Sequence, residues 1–158
     1  MSAESCSTAI RPARVEEASA LSSLAMRSKA SWGYDDDFMA ACRKELTVSE
    51  AELQDRHAYV VENSLRVLGF YTLDPLCKDE VELGYLFIEP DAIGQGYGSR
   101  LMRHASDTAA ALGYRAIIIQ GDPHAETFYR AMGGKLIGHK PSESIPGREL
   151  PLFRIELE

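Results

Sequence analysis

Three glycines at alternate positions, Gly94, Gly96 and Gly98, follow a strand-forming run, Val81 to Ile88, and precede the apolar period of a helix. A strand delivered into a helix through such a turn leaves several backbone N–H groups at the positive helix end without an internal acceptor. Turns of this kind hold phosphates, and a long enough row of donors holds a diphosphate. Within the strand, Glu82 is the only charged residue between Val81 and Ile88. Apolar surroundings raise a carboxyl toward the range where it accepts protons efficiently near neutrality, so the pattern points to proton transfer beside the phosphate turn. Two plainer readings stay open. The glycines can make only a tight connection, and Glu82 can be a solvated residue of a strand that begins late, behind Lys78, Asp79 and Glu80.

The spacing excludes two other phosphate motifs. A Walker loop ends in Gly-Lys-Ser/Thr, whereas Gly98 is followed by Ser99 and Arg100; a dinucleotide fingerprint needs a third glycine where Ser99 stands. The elements that must position this turn can be read in order. A short extended start, Thr8 to Ala13, precedes a helical period from about Val15 to Ser31 (Ala18, Leu21, Leu24, Ala25) that Gly33 stops. Asp35 is an N-cap for a second helix, with Asp36 and Asp37 at its positive end and Tyr34 placed to staple onto Met39. Ser49 to Gln54 suits a short third helix. Strands are expected at His57–Glu62, Arg66–Leu73 and Glu80–Ile88, joined as hairpins at Asn63-Ser64 and Asp74-Pro75.

After the turn come a helix (Gly96 to Leu112), a strand (Arg115 to Gln120), a helix (Pro123 to Met132) and two strands (Lys135 to Lys140, Leu150 to Glu156). On the longer helix, Leu101, Met102, Ala105, Ala109 and Leu112 fall within one sector of about 100°. That face would seat the helix on the sheet and hold its N-terminus still where the glycines lie. The order predicts an α/β fold with a mixed sheet and helices on its faces, read as a single domain over residues 1–158.

Bulk properties narrow the function classes. With 158 residues, 45% hydrophobic and 26% charged, the chain has the make-up of an ordinary globular domain able to close a core. Its net charge of −7 argues against nucleic acid as the main partner. No apolar run approaches the roughly 20 residues of a membrane span, and Met1 to Ser7 lacks the pattern of a secretory signal. A cytoplasmic location is expected. Cys6, Cys42 and Cys77 are too scattered for a metal site or a disulfide framework, and no metal is expected from the four histidines.

Two segments bear a family likeness. Glu82 to Pro90 resembles the E-L-x-x-L-x-V-x-P strand of the GNAT superfamily of N-acetyltransferases, and Ile93 to Gly98 resembles its acetyl-CoA turn, Arg/Gln-x-x-Gly-x-Gly/Ala, with Ile93 in the place of Arg or Gln. Gly121 to Gly134 is similar to the family's N-x-x-A-x-x-F/L-Y-x-x-x-G-F segment, with Asp122 for Asn and Gly134 for the final Phe.

The resemblance implies a GNAT-like acyl-CoA N-acyltransferase fold. It also implies acetyl transfer from acetyl-CoA, a co-substrate, to a primary amine by direct attack in a ternary complex, without metal. It assigns cofactor contacts to Phe87, Ile88, Gly94, Gln95, Gly96, Tyr97, Gly98, Ser99, Arg100 and Asp122. Glu82 becomes the general base, an N–H near Phe87 or Ile88 the oxyanion donor, and Tyr129 the general acid near the thioester sulfur. Trp32, Tyr34 and Arg148 would line the acceptor side, toward a small-molecule or peptide amine, and a homodimer is open.

Each assignment has a structural counterpart: Tyr129 as a core tyrosine, Asp122 as a helix cap, Trp32 to Asp37 as a helix stop and start, and Arg148 as a turn arginine. A silent acyl-CoA-binding module and a partner-binding adaptor on the same scaffold are the rival functions.

Overall fold

The structure, a computed structural model, describes residues 7–157. Cys6 and most of the N-terminal segment weighed as a signal lie outside the described residues. Seven strands are described: β1 (Ala9–Pro12), β2 (His57–Glu62), β3 (Val67–Pro75), β4 (Glu80–Ile88), β5 (Ala116–Gln120), β6 (Lys135–Pro141) and β7 (Glu149–Glu156). They form a mixed sheet in the order β1-β2-β3-β4-β5-β7-β6. The helices are α1 (Ala18–Ala30), α2 (Asp36–Cys42), α3 (Glu50–Asp55), α4 (Tyr97–Ala111) and α5 (Glu126–Ala131). None of them is long and apolar enough to cross a membrane. Two compact units result, one from the chain up to Thr72 with Tyr85–Leu101, the other from Leu73–Gly84 with the chain after Leu101.

In the first unit β1 runs antiparallel to β2, from Ala9 opposite Glu62 to Pro12 opposite Tyr59. The expected first helix opens instead with a 3-10 turn, Val15–Glu17, before α1. The Glu17 carboxylate causes this: it accepts the Arg14 N–H at 2.7 Å and a two-point fork from Arg11, which winds the entry tight. Ala18, Leu21, Leu24 and Ala25 are buried, as their period requires. Asp35 caps α2 through the Phe38 N–H at 2.8 Å, and Ser49 with Glu52 forms a capping box on α3. Tyr34 stacks on Phe38 at 4.0 Å between centroids, and Met39, its expected staple partner, is buried. The Lys29 ammonium lies over the two rings, 5.7 and 6.0 Å from their centroids.

Gly69 of β3 is a close-approach position. A Cβ there would lie 2.6 Å from Ile88 Cδ1 and 2.8 Å from Phe87 O. Only glycine lets the end of β4 press against β3. The four-residue links at 63–66 and 76–79 are too short for a parallel crossover, so β2, β3 and β4 are successive hairpins. Asn63 Oδ1 closes the first, accepting from Leu65 and Arg66 at 2.8 and 2.9 Å.

In the second unit β4 and β5 are parallel over four pairs, Glu80 opposite Ala116 to Leu83 opposite Ile119. The chain between them, which contains α4, is the crossover that parallel pairing demands. β5 is antiparallel to β7, and β7 to β6, with an irregularity between Leu136 and Gly138. Met102, Ala105 and Ala109 of α4 are buried, but Leu112 is 45% exposed, against expectation. The helix ends one residue before it. Gly113, at φ 95°, turns the chain so that its own N–H bonds Ala110 O and the Tyr114 N–H bonds Ala109 O, leaving Leu112 at the cap. Cys42 is buried and Cys77 exposed, with no disulfide among the described residues.

Candidate functional site

The turn after β4 is built from both ends. Glu89 donates its N–H to Leu68 O at 2.8 Å, and a 3-10 turn, Pro90–Ala92, comes next. Gly94 and Gly96 take φ of 87° and 89°, a region that costs other residues about 1–2 kcal/mol. Nothing lies within 4 Å of where a Cβ would stand at either glycine. The Gln95 side chain turns back to Asp91 O at 3.3 Å.

The first bonded main-chain donor of α4 is Arg100, to Gly96 O at 3.1 Å. Among the described residues no acceptor is found for the N–H groups of residues 94–99. They stand at the positive end of a 15-residue helix. Main-chain donors so arranged can hold an anion without help from the side chain at 93, and Ile93 is 48% exposed. Arg100 is less available than its position suggested. Its guanidinium bonds Thr8 Oγ1 and lies 6.0 Å from the Tyr97 ring. Ser99 and Gly98 are half-buried in the same first turn, as are Phe87 and Ile88 at the end of β4.

The carboxylate and the phenol belong to the second unit. Glu82 lies well inside β4, opposite Ile118, and is half-buried, so the strand does not begin late. Among the described residues it makes no hydrogen bond or ion pair. Tyr129 is buried on α5, its ring 5.2 Å from Phe128 and 5.7 Å from Phe153. Burial, with the Asp122 charge second, pushes its phenol well above the ordinary tyrosine value.

Two glycines pack against Tyr129, one at its ring and one at its main chain. A Cβ at Gly121 would fall 3.1 Å from ring atoms, and one at Gly134 would fall 2.8 Å from Tyr129 O. Gly133, the expected C′ residue, has φ 94°; it bonds Arg130 O while the Gly134 N–H bonds Tyr129 O at 2.9 Å.

Asp122 does the capping work read from its sequence position, accepting the His124 N–H at 2.9 Å. It also faces Arg148 at 3.4 Å, and both side chains are largely buried, at 14% and 17% exposed. Arg148 is thus held by Asp122 within its own unit. Of the other acceptor-side candidates, Trp32 is 43% exposed and Tyr34 belongs to the stack around Lys29. Sequence reasoning missed Gly69, the fork from Arg27 to Glu89 at 3.1 and 2.5 Å, and the Arg148 pairing. The first had a signal, an isolated glycine inside a strand run; the others join residues too far apart to show one.

Comparison with known proteins agrees with the fold. The model of the acetyltransferase (GNAT) family matches residues 21–134, and the chain belongs to that family. Among solved structures, a GCN5-related N-acetyltransferase from Rhodopseudomonas palustris superposes with a TM-score of 0.76 at 18% identity, covering 94% of this chain and 95% of that one. The PaiA N-acetyltransferase of Thermoplasma acidophilum, solved with coenzyme A, gives 0.75 at 18% identity over 95% and 99%. YncA of Salmonella typhimurium, a structure containing acetyl-CoA, gives 0.69 at 17% identity over 96% and 95%. At these identities the likeness establishes the fold. A search of curated proteins found no significant match.

Proposed function

We propose that this chain is an acetyl-CoA-dependent N-acetyltransferase acting on a primary amine, small or peptide-borne. The observation that carries the reading is the row of N–H groups from Gly94 to Ser99, with two glycines at positive φ and no acceptor among the described residues. Such a row bonds the diphosphate of coenzyme A without needing an arginine at position 93.

An alkylamine with a pKa of about 10.4 is mostly protonated at pH 7 and cannot attack a thioester until a proton leaves. Glu82 is assigned that proton, directly or through one water. The attack places negative charge on the thioester oxygen, which an N–H near Phe87 or Ile88 would stabilise by about 2.7–4 kcal/mol. Tyr129 is assigned the leaving sulfur. A thiol ionises near pH 8.5 and a phenol near 10, so complete proton transfer to the thiolate runs uphill. The upward push on Tyr129 steepens that slope. Its part is therefore to keep its proton and hydrogen-bond the sulfur, which leaves as a thiolate when the C–S bond breaks and takes up the second proton that the acylated nitrogen sheds.

Calorimetric titration with acetyl-CoA, followed by CoA release across a panel of amines, tests the proposal. Saturable binding with amine-dependent release supports it. Binding without release on any amine points to the silent binder, and no association at about millimolar ligand (about −4 kcal/mol) removes the reading. The Gly96→Ala variant probes the turn itself. Its methyl adds strain of about 1–2 kcal/mol and enters the open space beside the donors, so Kd for coenzyme A should rise at least about tenfold. An unchanged Kd would place the phosphates elsewhere.

A further inference from the structure

Two arginines from separate parts of the first unit hold the segment that launches the phosphate turn. Arg27, on α1, donates from Nε and Nη2 to the two carboxylate oxygens of Glu89, at 3.1 and 2.5 Å. Arg66, at the end of the β2–β3 link, donates to Asp91 at 2.7 Å. The two acids bracket Pro90, where the 3-10 turn leading to Gly94 begins.

The two contacts are not equal. The Glu89 side chain is 13% exposed and gripped at two points; that of Asp91 is 70% exposed and held at one. A planar fork on a largely buried carboxylate fixes orientation, whereas a solvated single-point pair fixes little. Glu89 is also tied by main chain on both sides: its N–H to Leu68 O at 2.8 Å, its carbonyl to the Ala92 N–H at 2.9 Å. Whatever orients Glu89 orients the turn after it. Arg27 itself is half-exposed, one turn beyond the buried Leu24 of α1. An open groove lined by Leu21, Leu24, Arg66 and Val67 adjoins the pair.

We infer that Arg27, acting through Glu89, is a positioning residue for the phosphate turn: it sets the aim of the N–H groups of residues 94–99. The inference rests on the acetyl-CoA reading above. It assigns Arg27 no contact with substrate.

The test compares wild type, Arg27→Gln, Arg27→Lys and Arg66→Gln with two donors, acetyl-CoA and S-acetylpantetheine, which lacks the diphosphate. For Arg27→Gln the KM for acetyl-CoA should rise about five- to tenfold, with kcat at saturation within about twofold. Its kcat/KM for S-acetylpantetheine should match wild type. Arg27→Lys, which keeps the charge without the fork, should fall between, and provides the measurement if the glutamine variant does not fold. Arg66→Gln should stay within about twofold on both donors. An unchanged KM for acetyl-CoA in both Arg27 variants overturns the inference, as does an equal loss on both donors. If wild type binds no coenzyme A, the functional reading falls first and this inference with it.

Discussion

Replacing Glu82 by Gln is expected to lower kcat about 10²–10⁴-fold, the range of a lost general base. KM for acetyl-CoA should hold, because the diphosphate cradle is main chain and lies elsewhere in the sequence. The variant should fold. Glu82 has no ion pair or hydrogen bond among the described residues, so neutralising it strands no buried cation. Stability should stay within about 0.5 kcal/mol of wild type. The pH profile is the sharper readout. The variant should lose the low-pH limb that a carboxylate base gives to kcat/KM. The remaining rate should climb with pH as the substrate ammonium loses its proton unaided, toward about 10.4. Wild-type kinetics in this variant would take the base role from Glu82 and leave the rest of the assignment standing.

The second large effect concerns stability. The family segment ends in Gly-Phe, and this chain ends it in Gly133-Gly134. Installing phenylalanine at 134 should destabilise the protein rather than improve it. A Cβ at that position meets the main-chain oxygen of Tyr129 at 2.8 Å and Phe153 Cβ at 3.4 Å. Main chain yields less than a side-chain tip, and the oxygen concerned already accepts the Gly134 N–H at 2.9 Å.

Relief of the overlap would break that bond or tilt the end of α5, at a cost of about 2–4 kcal/mol. For a chain of this size that is a fall in Tm of roughly 5–15 °C. Gly134→Ala should show most of the loss, because the first carbon makes the overlap. Gly133→Ala, strained only by its φ of 94°, should lose less, about 1–2 kcal/mol. Thermal melts of the three variants check the order; a Gly134→Phe protein as stable as wild type would contradict it.

These two positions show how unevenly the chain displays its design. Gly133 was legible because a C′ glycine acts within its own helix end, and Asp35 and Asp122 because a cap reaches only two or three residues. The limits of β2 and β4 matched their apolar runs. Gly134 read as a mere departure from a motif. Its reason is the packing of Tyr129 and Phe153, and Phe153 is nineteen positions away. Leu112 had the right helical phase and still lies exposed, since the phase does not say where the helix stops.

By itself, then, the sequence determined the order of elements, the caps, the glycine turn and the mixed sheet, along with the family they resemble. Those features depend on φ preferences, capping hydrogen bonds and apolar period, which act over a turn or a strand. Only the tertiary structure decided which acid Arg27 grips across 62 positions, that Arg148 faces Asp122, and why Gly69 and Gly134 carry no side chain. Close approach and ion pairing are set by atoms brought together from distant segments. No local propensity records them until the chain has folded.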